Sequence, residues 1–128
     1  IANTFLKAQG RDIGNSLCED ALLGTANDIL QQAEQNDTKI FLPEDVIVAN
    51  KISKDSITEK KDLVSKGVAE NEMILDIGSN TIASYIKVMN NAATILWNGP
   101  VGVFLVHETM PFTFCPELVF SKTSTNKA

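Results

Sequence analysis

The sequence has one histidine, His107, one tryptophan, Trp97, and two cysteines, Cys18 and Cys115, far apart in the chain. With no Cys-x-x-Cys pair, nothing has the spacing of a structural zinc site. The two thiols read as reduced, as expected of a cytoplasmic protein. No apolar run is long enough to span a bilayer, and no charged-then-apolar signal segment opens the chain. No G-x-G-x-x-G run follows a strand-like stretch, which argues against a dinucleotide-dependent oxidoreductase. Net positive charge is also missing: 11 Lys and Arg against 16 Asp and Glu give −5 at neutral pH. With no basic stripe interleaved with aromatics, neither nucleic acid nor an anionic membrane is an expected partner. A local phosphate contact is still compatible with that balance. An initiating Met is absent as well, so the chain is expected to be a piece of a longer product.

What is present is ordinary globular composition: 128 residues, 44% hydrophobic and 21% charged, enough for one core. Ile1 to Ala8 reads as a short helix, with Ile1, Phe5 and Ala8 on one face and Gly10 as its stop. Ser16 and Glu19 have capping-box spacing ahead of a second helical stripe: Cys18, Leu22, Ala26, Ile29, Leu30 and Ala33. That helix is expected to end near Asn36. In Lys39 to Ala49 two apolar runs flank Pro43, which predicts a strand, an interruption and a second extended piece. Asp45 there reads as a turn acid rather than a catalyst. Asn50 to Glu72 mixes charges of both signs and reads as a solvated excursion. Met73 to Gly78 reads as a short buried strand. Ser79 or Asn80 is the expected cap of a following helix bearing Ile82, Tyr85, Ile86 and Met89.

The stretch Thr94 to Phe104 organises the rest. Ile95, Leu96 and Trp97 read as a buried strand, and Asn98-Gly99-Pro100 ends it, with Gly102 two residues on. Strand, helix, strand from Met73 to Phe104 suits a right-handed parallel crossover. The loop would then lie at the carboxyl end of a strand, where open α/β sheets bind ligands. Glycines there let a ligand approach the backbone, and Pro100 keeps the loop stiff. A tight turn with no ligand fits the same residues.

Trp97-Asn98-Gly99-Pro100-Val101-Gly102-Val103-Phe104 resembles the WNGPxGVF signature of phosphoglycerate kinases. Three further blocks occur in the family's order. Asn3 to Ala8 with Ile13 to Leu17 resembles the segment after the family's GGGM turn. Leu42 to Ala49 resembles LPVDVVVA, with Glu44 in place of Val. Leu75-Asp76-Ile77-Gly78 with Thr81-Ile82 resembles LDIGPxT, with Ser79 in place of Pro.

The resemblance implies an α/β fold, a Rossmann-like parallel sheet with flanking helices, present here as an incomplete three-layer domain. Residues 1–104 would be part of the carboxy-terminal nucleotide-binding domain, and residues 105–128 a divergent, irregular tail. It implies reversible phosphoryl transfer between 1,3-bisphosphoglycerate and ADP, giving 3-phosphoglycerate and ATP. Asn98, Gly99, Pro100, Val101 and Gly102 would line the nucleotide cleft, with Leu75 and Ile74 at the base. Mg2+ would accompany ADP or ATP, and 3-phosphoglycerate would bind only through an amino-terminal domain. Two departures stand out: Ile74 where many members have Gly, and Leu105 where the family has a ribose-binding Glu. The glycine-rich phosphate loop has no counterpart. No residue here is assigned a catalytic role, and the isolated chain is expected to be inactive. The alternative is a non-catalytic remnant of the same fold that binds no ligand.

Overall fold

The computed structural model describes residues 1–53 and 55–103. The expectations for residues 105–128, and for His107, Leu105 and Cys115, lie outside them. The described elements are helix α1 (Ala2–Ala8), a 3-10 turn (Asp20–Leu22), helix α2 (Leu23–Gln35), strands β1 (Asp45–Ala49), β2 (Glu59–Asp62) and β3 (Met73–Ile77), and helix α3 (Ser79–Asn91).

β1 is the central strand of a three-stranded sheet of order β2-β1-β3. Its Val46-Ile47-Val48 run is β-branched, which suits a pleated, buried position, and all five of its residues are buried. One face meets Leu6 of α1 in a cluster with Ile13, Val46, Val48, Leu63 and Val68. α3 packs on β1 as well. Thr81 of α3 bonds Asp45, so by strand alternation α3 covers the face that carries Asp45, Ile47 and Ala49. Burying a leucine as fully as Leu6, at 1% exposure, is worth about 1.5–3 kcal/mol.

The expected parallel sheet is corrected among the described residues: both neighbours of β1 run antiparallel to it. For β1 and β2 the connection explains why: residues 50–58 are too short for the crossover that parallel pairing needs. β3 takes the other edge of β1, so it runs in the same direction as β2, and residues 63–72 carry the chain across β1 between them. The parallel partner expected at Ile95 to Trp97 is not a strand either. Leu96 is 94% exposed there, which a buried parallel strand does not allow. Among the described residues a backbone bond ties this region to the sheet: Val103 N–H donates to the Leu75 carbonyl at 2.8 Å.

Two local expectations also change. Ser16 does not cap a helix. Its hydroxyl donates to the Ile13 carbonyl and accepts the Ile74 N–H at 2.8 Å, bridging the first loop to β3. The charged excursion contains β2, and Leu63 and Val68 within it are buried in the core. Lys61 reaches Glu72 at 2.5 Å there, and Glu72 also accepts the Ala69 N–H at 3.0 Å.

Candidate functional site

Two aspartates face the same way across the sheet. Ile47 stands opposite Asp76 in the β1/β3 register, so Asp76 shares the face of β1 that carries Asp45. They are almost equally buried, at 1% and 3% exposure, and quite differently satisfied.

Asp45 closes the amino end of α3. Its Oδ2 accepts the Asn80 N–H at 3.0 Å, and its Oδ1 accepts the Thr81 N–H at 2.7 Å. These are orphan donors of the first helical turn, and the carboxylate also answers the helix dipole. The Thr81 hydroxyl lies 2.7 Å from Asp45 Oδ1 and 2.9 Å from the Asp45 carbonyl, either of which can take its proton. That hydroxyl accepts the Glu44 and Asp45 N–H groups, each at 3.0 Å. Lys60 Nζ stands 3.6 Å from Oδ2. Burial pushes the Asp45 pKa up, and the Thr81, Asn80 and Lys60 contacts outweigh it, so the carboxyl is held below its ordinary range. Gly78 precedes the helix because a Cβ there would stand within 3.0 Å of every atom of the Asp45 carboxylate. The expected caps, Ser79 and Asn80, are replaced by this residue from another strand. An Asp directly before a β-branched run, with a Gly-x-x-Thr in the chain that follows, is the available signal.

Asp76 has one partner among the described residues: its Oδ1 accepts the Ile77 N–H at 2.8 Å. Oδ2 is buried and unpaired. Burial pushes its pKa up, against the weaker pull of that one N–H.

A cavity of about 800 Å³ opens beside β3. Ile74 and Leu75 line it, as do Asn98, Pro100, Val101 and Gly102. Gly99 does not line it. It has a left-handed backbone, φ +76°, with open space where a Cβ would be, and it turns the loop at that point. Leu75 is a buried residue of β3 that the β1 register skips, at a bulge between Ile47 and Val48. Ile74 is half-buried and packs on the Leu6 cluster. The fold therefore brings six of the seven expected nucleotide-binding residues to one cavity, although more than 20 positions separate the two groups.

The walls are mainly apolar, from Phe5, Leu42, Val46 and Ile77 among others. Among the described residues no lysine or arginine lines it. Such a cavity suits a flat apolar group with few polar contacts. Among the described residues no three His, Cys, Asp or Glu side chains gather as a metal-holding group. Asp76 is the one carboxylate on the cavity among the described residues, and its free oxygen is closed off from water. These residues therefore do not assemble a magnesium site of their own. A second, polar cleft of about 650 Å³ lies between Gln9–Asp12 and Leu63–Gly67. Arg11 there already donates to the Leu63 carbonyl at 2.9 Å. No helix among the described residues is long and apolar enough to cross a membrane.

A family model described as phosphoglycerate kinase matches residues 1–117, past Phe104. The chain is 49% identical over 104 residues to the phosphoglycerate kinase of Coxiella burnetii, covering 81% of this chain and 26% of that protein. It is 51% identical over 104 residues to that of Legionella pneumophila strain Paris, with the same coverage. The solved structure of the Coxiella burnetii enzyme superposes with a TM-score of 0.78 at 47% identity, over 83% of this chain and 27% of that one. The Pyrococcus horikoshii enzyme gives 0.66 at 28% identity, over 84% and 27%. The chain thus spans about a quarter of the length of the relatives it matches.

Proposed function

The chain belongs to the phosphoglycerate kinase family, and on that premise we propose that it carries part of the site for Mg-ADP or Mg-ATP. It would be a section of the carboxy-terminal domain of a cytoplasmic glycolytic enzyme. The parent reaction would be phosphoryl transfer from 1,3-bisphosphoglycerate to ADP, giving 3-phosphoglycerate and ATP. One observation carries the reading: the four blocks that resemble the family, separated in sequence, each contribute residues to one cavity, among them Phe5, Leu42, Leu75 and Asn98.

The chemistry divides accordingly. Phosphoryl transfer is mostly positioning and charge stabilisation. The described residues offer the positioning half. Leu75 and Ile74 present an apolar wall for a base, and the loop from Asn98 to Gly102 presents backbone without bulky side chains. A magnesium ion accompanying the nucleotide would supply charge neutralisation of the phosphates. The residues that would hold it, and those that hold 3-phosphoglycerate, belong to the rest of the parent protein.

Calorimetric titration with ADP, with and without magnesium, tests this on the chain as it stands and on Leu105→Glu. Saturable binding that strengthens in the variant supports a nucleotide site with a weakened ribose contact. No heat in either, from a sample with a folded far-UV spectrum, refutes nucleotide binding by this chain and favours the remnant reading.

A further inference from the structure

The loop assigned to the nucleotide rests on an unsatisfied acid. A Cβ at Gly102 would stand 2.5 Å from Asp76 Cγ and Oδ1 and 2.9 Å from Oδ2, so only glycine lets the backbone lie this close to the carboxylate. The next residue, Val103, donates its N–H to Leu75, the residue before Asp76, at 2.8 Å. The end of the loop is therefore seated on β3 by one backbone bond and one close approach.

That seat contains a standing conflict. Asp76 Oδ2 is cut off from water and accepts no hydrogen bond among the described residues. A buried acceptor without a partner disfavours the state that buries it. Lifting Gly102 lets water reach Oδ2, and the loop gives up one hydrogen bond in doing so. The β1 backbone, paired on both edges, has no comparable release. Asp45, equally buried, shows the contrast: both its oxygens are satisfied, and Gly78 lies against it with nothing to relieve.

We propose that Asp76 is a positioning residue that acts through Gly102, making the Asn98–Gly102 loop a unit that opens separately from the core. Seated, the loop shapes the cavity with Oδ2 dry; lifted, it hydrates Oδ2 and uncovers the cavity. The proposal deepens the nucleotide reading above, because the segment that opens is the one assigned to the nucleotide. The seat itself exists with or without that ligand.

Amide hydrogen exchange tests it, comparing Val103 with the β1 amides of Val46 and Val48 in the same sample. Trp97, the single tryptophan, reports the loop by fluorescence. Val103 is expected to exchange at least roughly tenfold faster than the β1 amides, as a sub-global opening does. Asp76→Asn removes the buried charge and should slow Val103 several-fold while leaving the β1 amides at or below their original rates. Gly102→Ala should speed Val103 and move Trp97 emission. Adding Asp76→Ala to that variant should reverse both changes, because it removes the atoms that the new methyl group strikes. A purely structural role for Asp76 gives no such rescue. Equal exchange of Val103 and Val48 in the unaltered chain, or no slowing in Asp76→Asn, overturns the proposal, and neither result depends on Gly102→Ala folding. ADP that leaves Val103 exchange unchanged, with the rescue intact, overturns the nucleotide reading and leaves the Asp76 seat standing.

Discussion

Asp45 Oδ1 lies 2.7 Å from both the backbone nitrogen and the hydroxyl of Thr81, two residues that are 36 positions apart. The central strand thereby caps the helix that covers it. The sheet and α3 are joined at that point by charge-assisted hydrogen bonds as well as by apolar packing. The same contact fixes where β3 ends, because the Gly78 N–H donates to the Asp45 carbonyl at 2.8 Å. The cavity beside β3 inherits its geometry from this junction.

Removing the carboxylate should show how much the junction carries. Asp45→Ala strands the buried Thr81 N–H and removes the partner of the part-buried Asn80 N–H, and should destabilise the chain by about 3 kcal/mol, the range for lost charged hydrogen bonds. Thr81→Val keeps the shape, loses the hydroxyl, and should cost about 1–2 kcal/mol. Being in contact, the two should not add, and a double-mutant cycle by urea unfolding should give a coupling of about 1 kcal/mol or more.

Gly78→Ala isolates the steric part. Gly78 has φ −83°, a backbone that alanine adopts without strain, so any loss must come from its Cβ meeting Asp45. A loss of about 2 kcal/mol is expected, in the range for overpacking. Gly14→Ala should be worse. Its φ is +56°, and a Cβ there would crowd the carbonyls of Ala69 and Glu72. Gly24→Ala, on a helix with nothing within 4 Å, should instead stabilise by about 0.5–1 kcal/mol. Thermal or urea unfolding of the three variants gives the order.

The two aspartates predict opposite pH behaviour. Burial opposes the charge on Asp45, but its hydrogen bonds and Lys60 win, so its folded pKa lies below the unfolded one. Its stabilisation is present above the unfolded value, about 3.9, and is lost as pH falls through the lower, folded value. Asp76 is raised by burial. Its charge therefore opposes folding at neutral pH, and the penalty fades as pH falls through the raised value. Asp76→Asn should raise stability at pH 7 and flatten the curve on the descent towards acid. Asp45→Asn should lower stability at pH 7 and remove part of the loss at the most acidic end. Chemical unfolding at a series of pH values checks both.

Ile74 should trade stability against access. It packs on the Leu6 cluster and lines the cavity. Ile74→Gly should cost about 2–4 kcal/mol through lost burial and strand flexibility. If the nucleotide reading holds, ADP should bind more tightly to whatever fraction stays folded. Unfolding and calorimetry on one preparation separate the two effects.

Helices and short strands are legible where each has its own periodicity. α3 and β3 follow their apolar spacing. α1 forms, but it buries Thr4 and Leu6 and leaves Ile1, of the expected face, exposed. The run Ile40 to Leu42 forms no strand. Pairing direction does not show in apolar spacing, and connection length bears on it only for β1 and β2, which residues 50–58 join. β2 was hidden because Glu59, Lys60, Lys61 and Asp62 form a charged edge strand, a composition that guards an edge against further pairing. Ser16 looked like a cap by spacing, whereas its partner is Ile74, 58 positions away. For the site, the Asn98 to Gly102 motif pointed to the loop, and Ile74 and Leu75 to the facing strand. Asp76, between loop and strand, was invisible as a separate feature: its missing partner can be seen only once Gly102 lies over it.

We propose a nucleotide site in the cavity between the Asn98–Gly102 loop and β3. The most direct measurement is a two-dimensional amide NMR titration of the isotopically labelled chain with Mg-ADP. Saturable shifts are expected at Ile74, Leu75, Asn98, Gly99, Val101 and Gly102, while the amides of Gly10, Arg11, Lys66 and Gly67 around the polar cleft stay still. Shifts confined to that second cleft, or none from a folded chain, would contradict the proposal.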